Sequence, residues 1–389
     1  MMKHLPKQVL IVIGSAVIGV VLVIGIDRVL GFFLNRTGYF TAMQPNIVER
    51  YTTREFTFTA TISAQGIRNE PVAIPKPKNT FRILALGDSF TYGWGVDLSE
   101  AWPKLVEAEL NTTHVIPGKT IEVVDAGVPG ADPSIDRKVC QAYFSRFNPD
   151  LVMLGFSSLD DAYQLAVRTL TENKVAAWLT QLLPTLSRIN IRQLGGNSYK
   201  GEYPGEIIDM SMLWKREAQE DLAMGPDLAG RLDPRARDAF AAGQLNPGLI
   251  ETALEEPNYA IAMLDPRNLD LTLAATSLRL QRLRNQCTHN TPVVFVMLPI
   301  STLVNKAFLA YRQGEGFAVD SRLPTLDLDT PFSQVVKKNG FTYVSLISTF
   351  RNHICTDCFY PWDYHYTRLG HQLVAQAVSK ELDKIFTKQ

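Results

Sequence analysis

Five short apolar runs, rich in β-branched residues, alternate with segments of helical pattern along this chain. The runs are RILAL (82–86), IEVVD (121–125), LVMLGF (151–156), VVFVML (293–298) and YVSLI (343–347). Strands that alternate with helices in this rhythm predict a parallel sheet with helices on both faces. We therefore expect an α/β fold built on a five-stranded parallel sheet.

The stretches outside this alternation divide the chain into further segments. Residues 35–79 are interpreted as a polar linker, with one edge strand predicted by the alternation in REFTFTATI (54–62). The interval between the third and fourth strands is too long for a single crossover connection. We therefore predict a mainly helical inserted subdomain over residues 166–270, and an α/β domain made of residues 80–165 and 271–389.

The inserted subdomain opens with an amphipathic helical pattern and continues into segments rich in turn residues. Its apolar positions recur at helical spacing: Val175, Leu179, Leu182, Leu183 and Leu186. The insert could be a packing accessory, or it could be a lid or an acceptor-binding surface. Its position in the chain does not decide between these roles.

Residues 1–34 contain the most apolar stretch of the chain. No charge occurs from Gln8 to Ile26, and 19 residues of helix span roughly 28 Å, close to the thickness of a bilayer core. Lys3 and Lys7 precede the stretch, which favours a cytoplasmic N-terminus. We expect a single-pass anchor in the inner membrane, with the remaining chain on the periplasmic or extracellular side. A cleaved signal peptide and a buried core helix are the alternatives.

Charge and cysteine content restrict the partners and the chemistry. Lys and Arg number 39, as do Asp and Glu, so nothing favours nucleic acid as a partner. Of the four cysteines, Cys355 and Cys358 in CTDC could form a local disulfide or remain two free thiols. A redox motif would be expected at a helix start after a strand, and zinc would need two further ligands. We predict no metal site.

Polar residues that could carry chemistry follow the predicted strands. In open parallel sheets, sites form beyond the carboxyl ends of the strands. Ser89 follows the first strand, and Asp363 and His365 lie beyond the fifth. A serine hydroxyl becomes nucleophilic when an imidazole takes its proton and a carboxylate orients that imidazole. Taken alone, Ser89 could be a turn residue, whereas His371 is better explained as a packing or capping residue.

Three motifs together resemble the conserved blocks of the SGNH (GDSL) hydrolase superfamily. LGDSFTYGWGV is similar to block I, DAGVPGAD to block II and DYHYTRLGHQLVA to block V. The resemblance implies a flavodoxin-like sheet and ester hydrolysis or acyl transfer, usually without a cofactor. It also implies that Ser89 is the nucleophile, that Asp363 and His365 complete a triad, and that the N–H groups of Ser89 and Gly130 bind the oxyanion.

One position departs from the family pattern. Block III ends in Asn-Asp, and the asparagine donates to the oxyanion, whereas GFSSLDD places Asp160 and Asp161 there. Losing one oxyanion donor typically costs about 10²–10³ in rate. Burial could keep Asp160 protonated, Ser157 or Ser158 could donate in its place, or the protein could be slow or inactive.

These observations lead to one functional hypothesis with two alternatives. We expect a membrane-anchored serine esterase that needs no cofactor and acts on an envelope polysaccharide or lipid ester. The first alternative is a polysaccharide O-acyltransferase of the same fold, in which a sugar hydroxyl replaces water. The second is a catalytically weak or inactive protein that binds glycan or assists assembly.

Overall fold

The structure, a computed structural model, describes residues 7–158, 161–162, 178–179, 182–188, 194, 207–224 and 230–387. The strands are β1 Ile47–Thr52, β2 Thr57–Ile62, β3 Thr80–Leu86, β4 Thr120–Asp125, β5 Leu151–Ser157, β6 Ile207–Asp209, β7 Val293–Leu298 and β8 Thr342–Ser345. The α-helices are α1 Lys7–Thr37, α2 Ser89–Tyr92, α3 Trp102–Thr113, α4 Pro133–Phe147, α5 Met210–Met224, α6 Pro234–Ala241, α7 Pro247–Glu255, α8 Pro266–Leu283, α9 Ser301–Val304, α10 Leu309–Gly314, α11 Asp329–Lys338, α12 Ile347–Asn352 and α13 Arg368–Phe386.

Within the described residues, five parallel strands form the main sheet in the order β4-β3-β5-β7-β8. Leu84 lies opposite Val152, and Leu154 lies opposite Phe295. Every residue of β5 and β7 is buried, as expected for parallel strands covered on both faces. Numbered along the sheet-forming strands, the order is 2-1-3-4-5, which is the flavodoxin-like arrangement. The predicted fold class is therefore confirmed.

Two helical layers cover the sheet. Helix α3 packs against α13 and β4, while α8 packs against α4 and α11. Pro103 lies in the first turn of α3, where its missing N–H costs no helical hydrogen bond. Since the first and last parts of the domain share one layer, the N-terminal and C-terminal motifs reach the same edge of the sheet.

A second sheet joins residues 47–62 to the insert. Among the described residues its order is β2-β1-β6, with β1 antiparallel to β2 and parallel to β6. The sequence predicted one strand here, and β1 was missed. The reason is Glu49, which occupies an inward position between Ile47 and Tyr51 and so breaks the apolar alternation. Its carboxylate accepts the Tyr51 hydroxyl at 2.9 Å.

Within the predicted insert, residues 166–270, the structure describes 178–179, 182–188, 194, 207–224 and 230–270. The helices of the insert enclose a small core of Ala218, Leu232, Ala236, Ala239, Phe240, Leu245 and Ile250, and Trp362 from the C-terminal part of the chain completes that core. Of the amphipathic helix predicted from Val175 to Leu186, Val175 lies outside the described residues. Leu186 begins a 3-10 turn, so the helical pattern does not continue through that residue.

Helix α1 spans 31 residues and is long and apolar enough to cross a membrane. Its apolar window is exposed to the surroundings, which contradicts the alternative of a buried core helix. A signal sequence would satisfy the same criteria of length and composition. Near the end of the apolar stretch, Asp27 accepts the N–H groups of Thr185 and Leu186 at 3.0 and 2.7 Å. These bonds tie the helix to the rest of the protein.

Two disulfides are present. Cys355 bonds to Cys358, and Cys140 on α4 bonds to Cys287, which lies 147 residues further along the chain in the π-helical turn Arg284–Thr288. The sequence did not predict the second bridge, because a pairing between distant cysteines cannot be read from spacing. It joins α4 to the end of α8, within the layer that covers one face of the sheet.

The two bridges predict the thiol content. Denatured protein without reductant should show no free thiol, and reduction should release four, the number of cysteines in the chain. Replacing both Cys140 and Cys287 by serine should lower the free energy of unfolding by roughly 3–5 kcal/mol, because that bridge closes a long loop. Replacing Cys355 and Cys358 should cost less, since their loop is short. Four free thiols without reductant would contradict both bridges.

Candidate active site

Ser89 lies at the carboxyl end of an inner strand, as the first residue of α2 directly after β3. Gly87 has a φ of +146°, and a Cβ there would lie 2.8 Å from the carbonyl oxygen of Gly155. Only glycine suits that position. Asp88 caps α2 by accepting the N–H of Phe90 at 2.9 Å. The turn therefore holds Ser89 rigidly at the edge of the sheet.

The structure brings Ser89, His365 and Asp363 into one chain of hydrogen bonds. Nε2 of His365 lies 2.7 Å from Oγ of Ser89, and Nδ1 lies 2.6 Å from Oδ1 of Asp363. The carboxylate fixes the tautomer, since Nδ1–H donates to it and Nε2 is left to accept the serine proton. The exposed fractions are 9%, 5% and 5%, in the same order. This is the geometry of a general base poised on a nucleophile.

The loop that carries Asp363 and His365 closes on itself. Tyr360 donates its N–H to the carbonyl of His365 at 2.9 Å and accepts that of Tyr364 at 2.8 Å. Tyr364 has a φ of +62°, in the left-handed region that bulky residues rarely adopt. Such strained residues persist where the surrounding structure over-determines them, and here the strained residue lies between two members of the triad.

Trp94 is a site residue that sequence reasoning missed. Its Nε1–H donates to Oδ2 of Asp363 at 3.3 Å, and its ring centroid lies 5.8 Å from that of His365. It stands in YGWGV, between Gly93 and Gly95, which both have positive φ. An aromatic residue between two glycines so close to a nucleophile was the available signal. Asp363 thus accepts one bond on each carboxylate oxygen.

Glu55 was also missed, because it lies in the turn between β1 and β2 and 308 residues before Asp363. Its carboxylate accepts the N–H of Trp362 at 3.0 Å and that of Asp363 at 2.8 Å. Arg312 donates to the carbonyl oxygen of Trp362 and forms a buried ion pair with Glu315 at 2.8 Å. The backbone at residues 362 and 363 is therefore held by two side chains, Glu55 and Arg312, from distant segments.

Glu55 predicts a pH-dependent contribution to stability. Burial raises its pKa from the usual 4.5 to about 7 and the charge of Asp363 adds to the rise, although the two N–H donors oppose it. Between pH 4.5 and 7, the folded state therefore keeps a proton on Glu55 that the unfolded state has lost. The stabilisation is complete below pH 4.5 and is lost as the pH rises through 7.

The glutamine in Glu55→Gln stays neutral at every pH, so its contribution does not change with pH. Between pH 4.5 and 7.5, the free energy of unfolding of wild type should therefore fall relative to that of the variant by roughly 1–3 kcal/mol. Denaturant unfolding of the full chain in detergent measures this difference. Glu220→Gln, at an exposed position, controls for loss of a carboxylate. A pH-independent difference for Glu55→Gln would contradict the assignment.

The predicted oxyanion donors lie on two adjacent loops. The loop after β4 packs on the turn that carries Ser89, with Val128 N–H donating to the carbonyl of Gly87 at 2.9 Å. A Cβ on Gly127 would lie 2.4 Å from the backbone nitrogen of Tyr92, so glycine allows this approach. Gly130 has a φ of +71° and lines a cavity beside the turn. Its N–H and that of Ser89 are placed at the same edge of the sheet.

The third position predicted to contact the oxyanion is Asp160, at the end of the segment after β5. Asp160 lies outside the described residues. Asp161 accepts the N–H of Ser157 at 2.8 Å, and burial, with the charges of Asp88 and Asp136, raises its pKa well above the usual range. Ser158 accepts the N–H of Ile300 at 3.2 Å on its hydroxyl. Among the described residues, the buried hydroxyl of Ser157 has no hydrogen-bond partner.

His371 is placed away from the proton relay. It is buried under α3, where Nδ1 accepts the N–H of Trp102 at 3.2 Å. Burial lowers the pKa of His371 to about 3, so the ring is neutral and stabilises the start of α3. This agrees with the packing or capping role expected from the sequence. Across the described residues, no group of three or more His, Cys, Asp or Glu side chains is arranged to hold a metal ion.

No protein-family model matches the sequence, and a comparison with curated proteins finds no match either. Solved structures do match. A two-domain esterase active on acetylated mannans shares 13% identity over 79% of this chain, which spans about half of that protein, at a TM-score of 0.37. The lipase/acylhydrolase from Enterococcus faecalis shares 10% identity over 78% of this chain and 96% of its own, at 0.36. The acetylxylan esterase Axe2 from Geobacillus stearothermophilus, solved as a catalytic mutant, shares 12% identity over 77% and 93%, at 0.36.

Proposed function

We propose that this chain is a serine esterase in which Ser89 attacks the carbonyl carbon of an acyl ester. The observation that carries the proposal is the continuous relay from Ser89 through His365 to Asp363, with separations of 2.7 and 2.6 Å. A buried serine hydroxyl can be satisfied by a backbone carbonyl, so stability alone does not call for an imidazole that is itself bonded to a carboxylate. A protein that only binds glycan would have no use for the relay.

The reaction follows from the positions of the three side chains. Oγ of Ser89 bonds to the carbonyl carbon while its proton passes to Nε2 of His365, and Asp363 stabilises the imidazolium through Nδ1–H. The N–H groups of Ser89 and Gly130 donate to the oxyanion. His365 then protonates the departing alcohol. In the second half, water attacks the acyl-enzyme, its proton passes to His365, and the acid is released with the serine restored.

The apolar helix α1 supports a proposal about the class of substrate. We propose that it anchors the protein in the cytoplasmic membrane with the α/β domain outside, so that an ester on an envelope polysaccharide or lipid is within reach. The bonds from Asp27 to Thr185 and Leu186 would keep the domain close to the membrane surface. If a sugar hydroxyl replaces water in the second half, the same relay performs acyl transfer.

Labelling with a fluorophosphonate probe, followed by product analysis, tests the proposal on the full chain in detergent. We expect stoichiometric label on Ser89, located by peptide mass, and release of free acid from a small acyl ester. Absence of Ser89 label in protein with an intact circular dichroism spectrum would overturn the esterase assignment. Acylated sugar, formed without a matching amount of free acid, would assign transfer instead of hydrolysis.

A separate prediction from the sequence concerns the effect of Asp160 on turnover. If it occupies the oxyanion position, Asp160→Asn would replace a repelling carboxylate by an amide donor and should raise turnover of a small ester by about 10-fold or more, because one such donor is worth 10²–10³ in rate. Steady-state kinetics of the variant give the answer. Asp161→Asn is the matched control, since that carboxyl is already bonded to the N–H of Ser157. Unchanged or lower turnover for Asp160→Asn would place Asp160 elsewhere.

A further inference from the structure

A cavity of about 560 Å³ adjoins the proposed site. Gly130 and Trp94 line it on the side of the triad, and Trp94 bonds to Asp363. Other lining residues come from the inserted segment: Trp214 and Glu217 on α5, and Asn246, Pro247, Gly248 and Glu251. The insert therefore contributes part of the lining of a space that Trp94 and Gly130 also border.

Four aromatic side chains line this cavity, and three of them, Tyr51, Trp94 and Trp214, contact one another and form its aromatic wall. The rings of Trp94 and Trp214 stack with centroids 6.2 Å apart and planes 21° apart. Tyr51 lies 4.7 Å from Trp94 and 5.7 Å from Trp214. The three rings come from different parts of the chain: Tyr51 lies on β1, Trp94 lies just after α2, and Trp214 lies on α5 in the insert. Aromatic rings present rigid apolar surface that loses little conformational entropy on binding, which suits the C–H faces of a sugar ring.

The charged residues that line the cavity are all acidic. They are Glu49, Glu217 and Glu251, and no lysine, arginine or histidine is among the described lining residues. Glu49 is bonded to Tyr51, and the positive charge of Arg68 acts on it. Glu217 lies on α5 and Glu251 on α7, and both line the cavity. Burial raises the pKa of Glu251, and the charges of Asp221 and Glu217 add to the rise. The insert side of the cavity is therefore electronegative.

We propose that this cavity binds the sugar unit that carries or neighbours the ester, and that Glu217 and Glu251 select uncharged or amino-bearing sugars against sugars with carboxylate or phosphate groups. This inference rests on the proposed esterase function and names its substrate class. Sugar hydroxyls and ammonium groups donate hydrogen bonds to carboxylates, whereas an anionic group placed between two carboxylates is repelled. The aromatic wall holds the ring, and the carboxylates set the charge preference.

The aromatic wall is tested by Trp214→Ala on the full chain in detergent. Hydrolysis of 4-nitrophenyl acetate, which has no sugar, is the reference reaction. KM for an acetylated xylooligosaccharide should rise by about 10-fold or more, and the ratio of kcat/KM for the sugar ester to that for 4-nitrophenyl acetate should fall by a similar factor, since a buried aromatic anchor can contribute more than 1.4 kcal/mol to binding. Trp178→Ala, at a position that is 58% exposed, is the matched control and should change neither value.

The charge preference is tested by Glu217→Gln/Glu251→Gln. The ratio of kcat/KM for the acetylated xylooligosaccharide to that for an acetylated oligouronate should exceed 1 in wild type and fall by about 10-fold in the double variant. Glu220→Gln/Glu255→Gln removes two exposed carboxylates from the same helices outside the cavity, and should leave the ratio unchanged.

The outcomes separate this inference from the function on which it rests. If wild type hydrolyses neither 4-nitrophenyl acetate nor the sugar ester, the esterase proposal fails. If wild type is active but Trp214→Ala leaves KM for the sugar ester unchanged, or the double variant keeps the wild-type ratio, the cavity assignment is overturned. Binding of unacetylated xylooligosaccharide to Ser89→Ala, measured by calorimetry, should likewise weaken by about 10-fold when Trp214 is replaced.

Discussion

Ser89→Ala is expected to lower kcat for a small acyl ester by about 10⁴–10⁶-fold, the range found when a triad nucleophile is removed. Alanine has no atom to bond to the carbonyl carbon, so no acyl-enzyme forms. The N–H groups of residues 89 and 130 remain, and they account for the small residual rate. At 25 °C, the loss corresponds to about 5–8 kcal/mol of transition-state stabilisation.

The fold should survive this change. Asp88 still caps α2 through the N–H of Phe90, and the removed hydroxyl is bonded only to His365 among the described contacts. Thermal unfolding should therefore differ little from wild type, and fluorophosphonate labelling should disappear. Ser99→Ala, at an exposed position ten residues later, is the matched control and should keep full activity. Activity of Ser89→Ala within 10-fold of wild type would remove Ser89 from the mechanism.

Asp363→Asn is expected to lower kcat by about 10⁴-fold while leaving the protein folded. The carboxylate accepts Nδ1–H of His365 on one oxygen and Nε1–H of Trp94 on the other. An amide has only one oxygen, and its NH₂ group favours the tautomer with the proton on Nε2. That proton would then point at Ser89, and the ring could not act as a base.

The backbone N–H of residue 363 still donates to Glu55 in this variant, so the loop should keep its position. Trp94→Phe is the informative companion, because it leaves the carboxylate and removes only the 3.3 Å bond. We expect it to lower kcat by about 10-fold, since a single hydrogen bond to a charged group contributes 1.5–3 kcal/mol at most. Equal losses in the two variants would mean that Asp363 does not orient the imidazole.

Much of the fold could be predicted from local pattern. The five apolar runs correspond to β3, β4, β5, β7 and β8, since buried parallel strands need continuous apolar sequence wherever they lie. β1 was missed because its inward residue Glu49 is charged, and its burial depends on a partner, Tyr51, two residues away on the same face. A pattern of apolar residues alone cannot distinguish a partnered buried carboxylate from an exposed one.

The residues of the candidate site also fall into two groups, those that local sequence predicts and those that depend on tertiary packing. Ser89 stands at a strand end, and Asp363 and His365 stand two residues apart, so the sequence could predict that they form one hydrogen-bonded relay. Trp94, Glu55 and Trp214 act on partners that are 120 to 308 residues distant in the chain. Which of the five tryptophans, and which of the glutamates, would meet the loop that carries Asp363 and His365 depends on how strands β1 and β2 and the insert pack.

The sequence by itself determined the parallel sheet, the apolar N-terminal helix and the three residues of the relay, because each depends on periodicity or on short motifs. Only the tertiary structure decided that Cys140 meets Cys287, that Glu55 accepts the N–H of Asp363, and that the insert and Trp94 line one acidic cavity. Such contacts join segments far apart in the chain. Their formation depends on the packing of the whole core, to which no local stretch of sequence corresponds.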